Sequence, residues 1–385
     1  MKLITAFKIH LDKNRVFGLD VLRFFAITFV VLSHALIYLP KDVARILTYF
    51  IFDGVTIFFV LSGFLIGGIL IKILEKGAFT FNKLLDFWKR RWFRTLPAYF
   101  LVLFLLLALN KVFNENFVFD SSIIKYFLFL QNFKTVHPNF FPEAWSLSVE
   151  EWFYLLSAII IFSLINLFKF NSKNAVLVTI ISIILFTTFF RAYRLLYNIN
   201  VTDINIWDSY YRKQVITRLD SLMYGVLAAY IKFYAKNFFE KYKKVFFISG
   251  IILAVIHQFF IMNYGPNTFF GATLSFSMIS IYAMLLLPFL DSIRSAPKII
   301  LNPITYVSLT SYSMYLINYS LVQEWIIGKV DFLHSPQLLN TGITFCIYLC
   351  LVMMISILMY KYFEVPTTKL RDKLVKVKPQ NVMIR

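Results

Sequence analysis

Runs of about 20 apolar residues recur along the whole chain, and each is long enough to cross the hydrocarbon core of a bilayer as a helix. The first, Gly18 to Tyr38, reads GLDVLRFFAITFVVLSHALIY. The runs are continuous rather than alternating, which excludes a β-barrel. Backbone groups in lipid must be satisfied within the protein, so the solution left is a bundle of α-helices. Ten spans are expected, at roughly 19–40, 51–71, 96–110, 150–168, 175–193, 218–231, 245–262, 269–290, 305–325 and 341–360. A shorter apolar piece, Ile123 to Phe133, is too short to cross and is expected to be re-entrant or interfacial. There is no internal repeat, low-complexity segment or linker. Residues 1–385 therefore read as one all-α, polytopic transmembrane domain.

Charge gives the bundle a direction. The formal net charge of +19 would point to nucleic acid in a soluble protein. Here, with the N-terminus inside, 27 Lys and Arg fall in segments on the inner side and nine in outer loops; Arg23, Arg191 and Arg218 fall within spans. That bias predicts cytoplasmic N- and C-termini. The excess faces anionic lipid headgroups, so the partner it implies is the bilayer and not nucleic acid. The basic tail, Lys369 to Lys378, is expected on the membrane surface. The first apolar run starts near residue 19, too late and too long for a typical cleaved signal, and is expected to stay as a span. Cys346 and Cys350 lie four apart on one helix, so neither a disulfide framework nor a zinc site is supported; they read as small packing residues.

Ionisable residues inside spans cost free energy and mark functional sites by default. Arg23 and His34 are 11 residues apart in the first span, within about 20° of three full turns, so both project from one face. The helical rise separates them by about 16 Å, with Arg23 near the inner surface and His34 deeper. Asp20, one turn before Arg23, can pair with it. A cation there suits a phosphate-bearing ligand, and a histidine further in suits a general base. In Lys89-Arg90-Arg91-Trp92-Phe93-Arg94, Arg91 and Arg94 are neighbours on a turn, and guanidinium forks match phosphate oxygens. The same basic run is also ordinary topology signal.

In Ala144-Trp145-Ser146-Leu147-Ser148-Val149-Glu150-Glu151, Ser148 is placed to cap a helix, with Glu151 completing a capping box. Glu150 and Tyr154, one turn apart, would face the bundle from the outer side, where an acceptor hydroxyl arrives. Asp53-Gly54 and Ser62-Gly63 offer close helix approach. Arg218 and Asp220 open the sixth span as a possible internal ion pair, Asn318 sits inside the ninth, and His257 reads as structural. No Gly-rich phosphate loop, metal spacing or Ser-His-Asp order is present in the sequence.

Together the stretches GLDVLRFFAITFVVLSHA, FDGVTIFFVLSGFLI, KRRWFRTLPAYF, AWSLSVEEWFYLL, RLDSLMYGVLAA, SYSMYLIN and YFEVP resemble, in order, the acyltransferase 3 family of bacterial membrane acyltransferases. The resemblance implies a multi-span enzyme of the bacterial cytoplasmic (inner) membrane. It would move an acyl group, usually acetyl, from cytoplasmic acyl-CoA to a hydroxyl of a glycan or lipid-linked sugar. The family's Arg-(ten residues)-His motif falls on Arg23 and His34, its Arg-x-x-Arg on Arg91 and Arg94, its SLSVEE segment on Glu150, and its E-x-P ending on Glu364 and Pro366. Asn318 stands where many members have histidine, and Trp152 where glutamine is common.

The resulting expectation is an acyl-CoA-dependent O-acyltransferase without a metal. His34, Arg23 and Glu150 would be catalytic, and Arg91, Arg94 and Arg23 would hold acyl-CoA (acetyl-CoA in the usual case). Tyr154, Arg218, Asp220 and Asn318 would meet the acceptor. The alternatives are a glycolipid or drug transporter with charges lining a pathway, and acyl transfer to a small hydroxylated metabolite.

Overall fold

The computed structural model describes residues 15–330 and 342–374. The basic N-terminal residues before 15 and the tail beyond 374, expected on the inner surface, lie outside them. Among the described residues the chain is helical, with no strand. In order the helices are α1 (Phe17–Ala35), α2 (Lys41–Thr48), α3 (Gly54–Glu75), α4 (Phe81–Phe113), α5 (Ser121–Phe127), α6 (Ala144–Asn166), α7 (Ser172–Tyr197), α8 (Ile204–Trp207), α9 (Leu219–Tyr234), α10 (Lys236–Lys241), α11 (Lys243–Tyr264), α12 (Ser275–Ser292), α13 (Lys298–Ile317), α14 (Ile343–Met359) and α15 (Val365–Leu374). Four π-helical segments interrupt this pattern: Asp208–Arg212, Phe270–Leu274, Asn318–Ile326 and Tyr360–Glu364.

Among the described residues, eight helical stretches are long and apolar enough to cross a membrane: Phe17–Tyr38, Gly54–Glu75, Phe81–Phe113, Ala144–Asn166, Ser172–Tyr197, Lys243–Tyr264, Phe270–Ser292 and Ile343–Leu370. The other two expected spans are present as helices, α9 with 16 residues and α13 with 20. Of the boundaries that differ from expectation, two bear on the candidate site. α4 starts at Phe81, because the basic run continues the helix; at 33 residues it is about 50 Å long, well over a bilayer's hydrocarbon thickness. α6 starts at Ala144, so Ser148 is inside it and does not cap it: its hydroxyl donates to the Ala144 carbonyl and accepts from Gln131. The expected capping box is therefore absent. The Ile123 piece is the seven-residue α5, capped by Asp120. Cys346 and Cys350 are exposed on the surface of α14 rather than packed.

The described residues fall into two compact units. One takes those up to Gly54, Trp88–Val118, and those from Ile293 onward; the other takes Val55–Phe87 and Phe119–Ser292. In the first unit, α1 and α13 run parallel. The carboxylate of Asp20 meets Ser308, and His34, further along, meets Asn318, just past the end of α13. α14 runs against α13, since Tyr348 reaches Asn318 while Glu364 reaches Ser313.

The second unit is closed by two glycines that face each other's backbone. A Cβ on Gly63 of α3 would sit 1.9 Å from the Leu222 carbonyl oxygen, and one on Gly225 of α9 would sit 2.0 Å from that of Val60. Small residues at such a crossing let helices associate in lipid, where apolar burial gives no drive. Around the crossing lies a dry polar core. Arg191 of α7 donates to both carboxylate oxygens of Asp220 at 3.0 and 2.7 Å, and also to the carbonyls of Thr217 and Thr273 and the hydroxyl of Ser277. Both side chains are fully buried. His257 is buried and shares a 2.7 Å hydrogen bond with Ser275.

Gly225→Ala is expected to lower the thermal unfolding midpoint in detergent, by overpacking of about 1–3 kcal/mol. Gly68→Ala, whose Cβ would meet nothing within 4 Å, should leave the midpoint unchanged. Removing one member of the buried pair, as in Asp220→Ala, strands a charge and should cost about 3–5 kcal/mol. An Arg191→Met, Asp220→Leu double variant should recover much of that loss in the same melting assay.

Candidate active site

Within the first unit, one end of α1 gathers cations around a single carboxylate. Asp20 is buried, because α1 packs it toward α13. Arg15, just before the helix, binds it with two donors, Nε at 2.9 Å and Nη2. Arg23, one turn further on, donates at 3.3 Å, and the Ser308 hydroxyl donates at 2.7 Å. The expected pairing of Asp20 with Arg23 is thus present, but Arg15 is the closer partner. Arg94 of α4 acts electrostatically on Arg23, as does Arg15. Arg15 and Arg23 thus share the Asp20 carboxylate, while Arg94 lies within electrostatic range of both Arg23 and Glu364, which is bonded to Ser313. Arg94 is exposed and Arg91 half-buried, both on the part of α4 that belongs to this unit.

At the other end of α1 lies His34. Its Nδ1 is 2.5 Å from Oδ1 of Asn318, and its ring meets that of Tyr319 at 4.9 Å. The Tyr348 hydroxyl donates to the same Asn318 oxygen at 3.3 Å. Tyr38, one turn beyond His34, packs against Tyr348 at 5.6 Å between ring centres. Asn318 opens one π segment and Glu364 closes another. Such widened turns recur at functional sites because they re-aim side chains that a regular helix would place elsewhere. The sequence places Arg23, His34 and Arg94 correctly on faces of helices. It carries no signal for Tyr348 or Ser308, which only the packing of α14 and α13 brings in.

The second unit holds the other expected residues. Tyr154 is fully buried in α6; its hydroxyl donates to Glu150 Oε2 at 3.0 Å and lies 2.8 Å from the Ser62 hydroxyl of α3. Since the phenol's proton goes to the carboxylate, Ser62 donates to Tyr154, giving a directed chain Ser62–Tyr154–Glu150. The expected pairing of Arg218 with Asp220 is corrected, because Arg191 holds that carboxylate. Arg218 instead donates to Thr56 and lies 4.3 Å from the Phe276 ring centre, with Phe59 and Trp145 at 5.7 and 5.9 Å. A guanidinium enclosed by aromatic faces keeps its charge in a dry interior through the rings' quadrupoles. Trp152 donates its indole N–H to the Phe129 carbonyl at 2.9 Å.

Also in the second unit, His137 is buried against Tyr126. Burial pushes its imidazole down to about 3, with Lys213 adding to the effect, so it stays neutral at physiological pH.

A provisionally named O-acetyltransferase of Staphylococcus aureus strain COL is 27% identical over 354 residues, covering 86% of this chain and 55% of its own length. The O-acetyltransferase OatA of Staphylococcus aureus strain NCTC 8325 / PS 47 is 26% identical over 327 residues, covering 79% and 50%. The chain thus spans about half the length of the curated relatives it matches. No solved structure matches it. The model of the acyltransferase 3 family, described as an acyltransferase domain, matches residues 16–361, and the chain belongs to that family.

Proposed function

We propose that this protein is a membrane O-acyltransferase that takes an acyl group, acetyl in the first instance, from cytoplasmic acyl-CoA and places it on a hydroxyl of a cell-surface glycan or lipid-linked sugar. The observation that carries the proposal is the layout of α1. A cluster of guanidiniums with one shared carboxylate occupies its first turns, and a hydrogen-bonded histidine occupies its last. Arg23, Arg94 and Arg91 would hold the phosphates of CoA, for which forked donors are suited.

The thioester would extend along the α1 face toward His34. There the imidazole takes the proton of the acceptor hydroxyl as its oxygen attacks the thioester carbonyl. When the tetrahedral species collapses, the C–S bond breaks and the proton passes from the imidazolium to the CoA thiolate. The likeness to O-acetyltransferases supports acetyl as the group moved, and the acyl-CoA donor and glycan acceptor belong to this reading.

The direction of transfer rests on topology. We place both termini in the cytoplasm with ten crossings. The charge bias supports this. So does the parallel course of α1 and α13, which requires an odd number of crossings between them. Six long apolar helices lie in that interval, so the 16-residue α9 supplies the seventh. Arg218 and Asp220, expected at the acceptor, are fully buried with protein partners, and we assign them to the frame instead.

In proteoliposomes supplied with acetyl-CoA and membrane-derived acceptor, release of free CoA should fall roughly 10²–10⁴-fold in His34→Ala. Near-normal turnover in that variant would sink the catalytic assignment. Arg94→Ala should instead raise KM for acetyl-CoA with kcat largely kept, as expected when uniform binding is lost. Glu150→Gln keeps an acceptor for the Tyr154 hydroxyl but removes the charge. A fall in kcat there would assign the Ser62–Tyr154–Glu150 chain to the reaction, whereas wild-type kcat would make it structural.

A further inference from the structure

We infer that Asn318 is a positioning residue that holds His34 with its proton on Nδ1, leaving Nε2 as the atom that exchanges protons with substrate; this rests on the acyl-transfer reading above. The argument begins with the amide, not the imidazole. A carboxamide has two N–H donors and an acceptor oxygen. Both donors of Asn318 are committed: Nδ2 gives one hydrogen to the Met314 carbonyl at 3.0 Å and the other to the Tyr315 carbonyl at 2.7 Å. Turning the amide over would face its oxygen with two carbonyl oxygens and lose both bonds. The orientation is therefore set by the preceding turn of α13, and the atom facing His34 is Oδ1.

Two acceptors do not hydrogen-bond, so at 2.5 Å from that oxygen Nδ1 must carry a hydrogen. Tyr348 donates to the same oxygen, and both Asn318 and Tyr348 are fully buried, so the clamp is shielded from water.

The consequence is chemical. Nδ1 keeps its hydrogen in the neutral ring and in the imidazolium alike, so one hydrogen bond persists through the whole cycle. All proton traffic passes through Nε2. A neutral amide does this without bringing a second charge into a region where unpaired charge is costly. The Tyr319 ring packs edge-on against the imidazole, 4.9 Å between ring centres. The place where the helix passes from α to π, at Asn318, allows its side chain to reach back to two carbonyls and across to α1 at once.

The test is ¹⁵N NMR of histidine-labelled protein in nanodiscs without substrate, with the His34 signals identified by their loss in His34→Gln. The expected wild-type spectrum has a protonated Nδ1 and, in the neutral ring, an unprotonated Nε2. In Asn318→Leu the signals should move toward a mixture of tautomers. kcat for acetyl-CoA turnover should fall roughly 10- to 100-fold while KM stays within about twofold. A wild-type His34 protonated at Nε2 alone overturns the inference, as does an Asn318→Leu spectrum identical to wild type. If Asn318→Leu does not fold, the wild-type spectrum decides by itself, and Tyr348→Phe, which removes one donor to Oδ1, gives the graded variant. The expected spectrum in a wild-type protein that never consumes acetyl-CoA would overturn the acyl-transfer reading while upholding the tautomer.

Discussion

A charge in a lipid-embedded bundle has no water to fall back on, so each one must be met by protein. In each unit a buried aspartate ties helices together through such pairing. Asp20 joins Arg15, Arg23 and Ser308, tying the start of α1 to α13. Asp220 joins Arg191 and Ser277, tying α9 to α7 and α12. The two differ in what is left over. Asp220 and Arg191 neutralise each other and are fully buried, which makes a stiff frame. Asp20 faces more positive charge than it can cancel, with Arg94 also close to Arg23.

The parallel packing of α1 on α13 turns that contrast into a path. The contacts of Asp20 and Arg23 with Ser308 and of His34 with Asn318 occur at successive levels of the same helix pair. The arginine level and the His34 level are therefore held at a fixed spacing by two rigid rods. Where a regular α-helix would not aim the needed side chain, the chain widens to π, at Asn318 and again before Glu364. Two of the four π segments among the described residues thus carry side chains of the α1 region, Asn318 and Glu364.

Much of this was legible beforehand for one reason. Lipid removes the usual ambiguity between helix and strand, so the length of the apolar runs suffices for the helical class. The 11-residue spacing of Arg23 and His34 identified their face because helical periodicity is rigid over three turns. Pairings were less readable. Adjacency suggested Arg218 with Asp220, yet Arg191, nearly thirty residues earlier, holds that carboxylate, because α7 and α9 pack side by side. Ser148 looked like a cap until the helix proved to begin four residues before it. Asn318, expected at the acceptor, is turned toward His34 by the carbonyls of its own preceding turn.

The sequence by itself determined an all-helical membrane protein, its charge asymmetry, the candidate catalytic face of α1 and its family. These follow from periodicity, composition and motif order, which are local along the chain. Only the tertiary structure decided which charges neutralise each other, which remain in surplus, and which nitrogen of His34 faces the protein. Those depend on contacts between helices hundreds of residues apart, such as Asp20 with Ser308 and His34 with Asn318, and no local pattern encodes them.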